Sequence, residues 1–177
     1  MYWIYGTYAA LLLFGTYNIF GTMYSKCPKV ETVDEVDLDL FIKHTWYIQA
    51  QQIVAYQQPD EFYCVTATYA LENKRVPLFD GKVLSVYNYA NEGQVNGKPT
   101  NTKDGMVLCA RVPDANDLTR LLVAPCFLPN IVGGQYWIIG LGKHHDDEYS
   151  WAVISGGPPV KQYPDGGCTT LVNKTNH

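Results

Sequence analysis

From Trp46 to Ser155 the chain alternates between short apolar-rich bursts and clusters of turn-forming residues. The bursts predict strands at Trp46–Tyr56, Glu61–Leu71, Val83–Tyr89, Gln94–Lys98, Met106–Val112, Leu118–Ala124, Tyr136–Leu141 and Tyr149–Ser155. Gln58-Pro59-Asp60, Asp80-Gly81, Asn96-Gly97, Asp104-Gly105, Pro113-Asp114, Gly133-Gly134 and Gly156-Gly157 punctuate them. No amphipathic helix interrupts the series. Eight strands joined by short turns predict an all-β fold, an eight-stranded antiparallel up-and-down barrel. A barrel of that size either encloses one small ligand or fills with its own side chains.

The pattern before the strands is different. Met1 to Tyr24 contains no charged residue. As a helix it would reach roughly 36 Å, enough to cross the hydrocarbon of a bilayer. Tyr2, Trp3 and Tyr5 at one end and Tyr17 and Tyr24 towards the other resemble interfacial aromatic belts. Gly6 and Ala10, four apart, would let a neighbouring helix approach closely. A cleaved signal peptide would need a basic start and a short apolar core, which this segment lacks. Thr7, Asn18 and Thr22 leave a buried element of the globular domain as the competing reading. The expected organisation is a transmembrane anchor helix at 1–24, a polar, acidic linker at 25–44, the barrel at 45–157 and an irregular tail at 158–177. Asn173-Lys174-Thr175 in that tail matches the N-glycosylation acceptor pattern.

Composition narrows the function. The chain has 177 residues, 47% of them hydrophobic, which suits one well-cored domain. Only 17% are charged, the net charge is −4, and no cluster of lysines or arginines occurs, so nucleic acid is not an expected partner. The cysteines, at 27, 64, 109, 126 and 168, show no C-x-x-C spacing. Wide scatter suits long-range disulfides in an oxidising compartment, and five buried thiols are the alternative. Lys26 and Lys29 after the anchor favour a cytoplasmic or stromal barrel, whereas the cysteines favour the opposite, oxidising side, and the cysteines are given more weight.

Alternate side chains of a barrel strand point inward. With Trp46 inside, Ile48, Ala50 and Gln52 are expected inside as well. The same rule places Trp137, Ile139 and Leu141 inside on a later strand, and offers Tyr87 and Tyr89. These nine residues are the candidate ligand-binding set, an apolar lining with a few polar tips that suits a lipid, retinoid or carotenoid. Packing of the same residues on one another is the alternative. Neither catalytic nor metal-binding residues are assigned. His144-His145-Asp146-Asp147-Glu148 reads as a solvated turn, since neighbouring loop residues rarely all face one ion. No nucleophile elbow, zinc-helix motif or phosphate loop occurs.

Several segments together resemble the lipocalin family. Cys27-Pro28 followed by Thr45-Trp46-Tyr47-Ile48 resembles the opening of its first strand. Glu61 to Tyr69 is similar to the second strand of the apolipoprotein D-like and chloroplast members. Tyr136-Trp137-Ile138-Ile139 and Asp146 to Gly156 resemble the last two strands and their loop. Leu108-Cys109 with Ala124-Pro125-Cys126-Phe127-Leu128-Pro129 looks most like the chloroplast branch, which is related to xanthophyll de-epoxidases. Departures concern the closed end: His44 replaces the family glycine, and the arginine of the last strand and the C-terminal helix have no counterpart. The resemblance implies a disulfide joining Cys27 to Cys168; Cys109 and Cys126 fall on neighbouring expected strands and could pair across them, with Cys64 left over. It further implies a non-catalytic membrane-anchored protein that holds a hydrophobic ligand or serves as accessory subunit of a membrane complex. A thylakoid membrane, a lumenal barrel and a photosystem-type partner met through Met1–Tyr24 would follow, with no covalent cofactor and a bound lipid or carotenoid. The rival it offers is a de-epoxidase acting on a carotenoid, with Asp60 or Glu61 as proton donor.

Overall fold

The computed structural model describes residues 27–53, 57–71, 75–101, 105–145 and 147–170. The expected anchor helix and the glycosylation triplet lie outside them. Among the described residues no helix is long and apolar enough to cross a membrane.

The described chain separates into two compact units. The larger, residues 30–158, is an antiparallel sheet curled into a half-barrel. Its elements are helix α1 (Leu38–Phe41) and strands β1 (Trp46–Tyr47), β2 (Tyr63–Leu71), β3 (Val83–Glu92), β4 (Lys98–Pro99), β5 (Leu108–Arg111), β6 (Arg120–Pro125), β7 (Gly134–His145) and β8 (Glu148–Ser155). The strands pair in the order β1-β2-β3-β5-β6-β7-β8, with β4 as a short return on β3. The meander is thus as the alternation predicts, with two differences. The burst at Gln94–Lys98 makes only the β4 ladder, Glu92 to Lys98 and Asn91 to Pro99. Among the described residues the burst at Trp46–Tyr56 yields two strand-paired residues, opposite Ala67 and Thr66. Among the described residues β1 and β8 therefore end the sheet without pairing with each other.

What lies beside that open seam is the stretch expected to be a linker. Asp37 caps α1, its carboxylate accepting from the amides of Asp39 (3.0 Å) and Leu40 (3.1 Å). The turn so started aims Leu38 and Phe41 into the core, beside Val36. The Val33 amide donates to the Ile138 carbonyl (3.0 Å), at a register shift where β7 slips against β8. The Tyr149 hydroxyl accepts from the Asp37 amide (3.1 Å), and Lys43 donates to the Asp147 carbonyl (3.1 Å). The core this segment completes contains Ala67, Tyr69, Leu84, Val86, Ala110, Val112, Leu121 and Ile138, all on the concave side of the sheet.

At the turn before β6, Asp117 gathers the hydroxyl and amide of Thr119 and the guanidinium of Arg120. Partial burial raises its pKa, but those hydrogen bonds and the Arg120 charge outweigh it and leave the carboxyl below its ordinary value. A depressed carboxylate adds stability above the unfolded value near ~3.9, lost as pH falls through the folded one. Asp117→Asn is expected to cost about 1–2 kcal/mol at pH 7, since the ion pair is partly solvated and the charged hydrogen bonds dominate. In urea melts the difference from the parent should shrink below about pH 4; a gap that persists undiminished at pH 3 would contradict this.

The smaller unit, residues 27–29 with 159–170, is a two-stranded ribbon of β9 (Lys161–Gln162) and β10 (Cys168–Thr169). Cys27 is disulfide-bonded to Cys168, with Cα atoms 5.6 Å apart. In the larger unit Cys109 is bonded to Cys126 across β5 and the end of β6 (Cα–Cα 4.9 Å), and Cys64 is a free, exposed thiol. Both pairings are the expected ones, Cys27–Cys168 from the resemblance and Cys109–Cys126 from neighbouring strands, and they point to an oxidising compartment.

Candidate functional site

The concave face is organised around four aromatic rings. The β1–β2 pairing sets Trp46 beside Ala67, facing in. Its indole N–H donates to the Phe41 carbonyl (2.9 Å), and its ring stacks at a tilt on Phe41, centroids 5.0 Å apart. Phe41 meets Tyr69 at 5.6 Å, and Tyr69 meets Tyr136 edge-on at 6.3 Å. The two tyrosine hydroxyls hydrogen-bond to each other at 2.8 Å. A buried hydroxyl must find a polar partner, and here the phenols supply one another. Half-buried Leu108, Val123, Leu141 and Ala152 pack against the same core from β5 to β8. The result is an apolar face that carries one phenolic pair.

Of the nine residues expected inside, Trp46 and Leu141 pack with this core. The others need correction as to facing. On β7 the inward residues are Tyr136 and Ile138, the latter fully buried, so Trp137 points to the convex side, where the Arg120 guanidinium covers its ring at 5.0 Å. The register shift between Ile138 and Gly140 makes Ile139 the extra residue and brings Leu141 back into phase. On β3 the inward pair is Leu84 and Val86, which sends Tyr87 and Tyr89 outward. The Tyr89 hydroxyl accepts from the side-chain amide Nδ2 of Asn91 (2.9 Å). Ile48, Ala50 and Gln52 lie past the two-residue β1 on an exposed connection, so strand alternation does not govern them.

Phe41, Tyr69 and Tyr136 were not in the expected set. For Phe41 a signal existed: Asp37 followed by Leu38, Asp39, Leu40 and Phe41 is a capped turn with one apolar face. For Tyr136, neighbouring Trp137 offers an equally large aromatic, and composition alone cannot say which faces in.

A second buried centre lies on the convex side of β5. Arg111 is 0% exposed. One terminal nitrogen donates to the carbonyls of Cys109 (3.1 Å) and Ala124 (3.2 Å). The other donates to Pro125 (2.9 Å) and Leu128 (2.8 Å). Burial pushes its pKa below the ordinary value. The cation thus stitches β5 to the end of β6 and the loop beyond, beside the Cys109–Cys126 bond.

The two acidic residues considered for proton transfer, Asp60 and Glu61, lie in the one-turn helix before β2. Glu61 accepts from the Gln58 amide (2.9 Å), closing a one-turn helix, while Asp60 is exposed and its carbonyl accepts from the Gly93 amide (2.7 Å). Among the described residues no three His, Cys, Asp or Glu side chains are grouped to hold a metal. No family model, curated protein or solved structure matches this chain.

Proposed function

We propose that the protein is a lipocalin-type binder that holds a small apolar molecule, a lipid or carotenoid, against the concave face of its sheet, without catalysing a reaction on it. The carrying observation is the half-covered apolar surface of Leu108, Val123, Leu141 and Ala152 beside the ring cluster of Phe41, Trp46, Tyr69 and Tyr136. Apolar walls with a few polar groups are what hydrophobic ligands select. The disulfides and the family resemblance extend the proposal to a membrane-anchored protein with its sheet domain in an oxidising space, the thylakoid lumen, held through Met1–Tyr24 as accessory subunit of a membrane complex.

The test uses the full chain in phosphatidylcholine nanodiscs, titrated with all-trans-retinol as an apolar probe that quenches tryptophan emission. Saturable quenching is expected, and it should disappear in Val123→Arg, whose half-buried side chain would bring a charge onto the concave face. Equal, non-saturating quenching in both proteins would mean that the probe merely partitions into lipid, and the reading would fail.

A further inference from the structure

The connection between β6 and β7 breaks the usual rule for loops. Surface loops expose polar side chains and leave their backbone groups to water. Here Phe127 is 73% exposed, Ile131 91% and Val132 56%. The backbone beneath them is turned the other way. The carbonyls of Ala124, Pro125 and Leu128 are taken by Arg111. The amides of Leu128, Val132 and Gly133 donate to Pro125 (3.0 Å), Pro129 (3.3 Å) and Asn130 (2.9 Å). The Cys109–Cys126 bond fixes the root of the loop to β5. Apolar side chains are therefore presented outward on a backbone of which the amides of Leu128, Val132 and Gly133 and the carbonyls of Ala124, Pro125, Leu128, Pro129 and Asn130 are bonded within the protein.

That combination suits hydrocarbon. In water, exposed Phe and Ile have no favourable partner, and backbone groups need no internal ones. In lipid, unsatisfied backbone groups are costly, so a loop can enter only if its own protein satisfies them. Charge decides which lipid. No charged residue occurs between Arg120 and Lys143. The same end of the sheet, where the β1–β2 and β3–β5 connections lie, exposes Met106, Val95 and Ile48 and carries Asp60, Glu61, Glu92 and Lys98. Among the described residues this rim has no basic patch to attract anionic headgroups.

We propose that the β6–β7 loop is a membrane-insertion element that sinks Phe127, Ile131 and Val132 into the interfacial layer of an electrically neutral bilayer. The contact is separate from any anchoring by Met1–Tyr24 and does not depend on ligand binding in the concavity. It turns the end of the sheet that carries the β1–β2, β3–β5 and β6–β7 connections towards the lipid.

The experiment labels the full chain with a nitrobenzoxadiazole fluorophore in phosphatidylcholine nanodiscs. The label sits at Ile131→Cys in a Cys64→Ser background, and the control at Leu78→Cys, 97% exposed at the opposite end of the sheet. At position 131 the emission should shift to the blue, be quenched severalfold more strongly by nitroxide-labelled lipid than at 78, and resist iodide. Raising the salt should leave it unchanged. Replacing Phe127 and Val132 by serine should remove the lipid quenching while the near-UV circular dichroism stays the same. Iodide quenching at 131 with no response to nitroxide lipid would overturn the proposal, as would equal lipid quenching at 131 and 78.

Discussion

Arg111→Met should lower the free energy of unfolding by about 3–5 kcal/mol, read as a drop in urea midpoint at unchanged slope. Methionine fills much of the arginine's volume, so the loss is not mainly a cavity. What disappears is the set of donors to the carbonyls of Cys109, Ala124, Pro125 and Leu128. Burying a cation is unfavourable, and its lowered pKa records that cost. Replacing a buried ion pair by apolar groups is often neutral because both partners go. That escape is closed here: the acceptors are backbone carbonyls that no substitution removes, and each buried acceptor left alone costs about 1–3 kcal/mol. Arg111→Lys should recover part of the loss, because a compact ammonium cannot span carbonyls that a two-pronged guanidinium bridges. A shift for Arg111→Met smaller than about 1 kcal/mol would show that the loop carbonyls find other donors.

Nothing in the sequence around Arg111 announces this role. Leu108 to Val112 reads as a strand with one arginine, and an arginine in such a strand is ordinarily expected to reach solvent. Its burial comes from two distant segments, the Val76–Phe79 part of the β2–β3 connection and the loop after β6, which cover the convex side of β5. Long-range coverage of that kind leaves no periodic trace. The strands were legible for the opposite reason. Turn residues and alternation are local, and the bounds of β2, β5, β6 and β8 fall within a few residues of the apolar bursts.

Facing was only partly legible. Alternation fixes relative phase within a strand, while absolute phase needs one trusted anchor. Trp46 served for β1, but β1 stops after Tyr47 and the phase has nothing to carry it to Ala50 or Gln52. On β7 the phase changes midway, so Trp137 and Leu141, both expected inside, end on opposite faces. On β3, Val83 to Val86 are all buried, Val83 against the β2–β3 connection and Leu84 and Val86 in the main core. A strand covered on both faces gives no alternation to read.

The second large effect is expected at Phe41, the residue by which an apparently featureless linker completes the core. Phe41→Ala should destabilise the larger unit by about 3–5 kcal/mol, through lost apolar transfer and the cavity left behind. Phe41 is almost wholly buried, and its ring contacts both Trp46 and Tyr69. No strand stands ready to collapse into the space, because β1 and β8 flank a seam that α1 itself occupies. The indole of Trp46 would keep its carbonyl acceptor but lose its stacking partner, so its emission should move to the red. Lys43→Ala, on the same segment, makes a useful contrast: its ion pair with Asp147 is 3.8 Å long and solvated, worth at most about 0.5–1 kcal/mol. If the two variants unfold at similar denaturant concentrations, α1 is a surface strap held by its polar contacts. A wide gap between them makes it part of the core, with the concave floor built from both ends of the sequence: a helical turn before the first strand and tyrosines from β2 and β7.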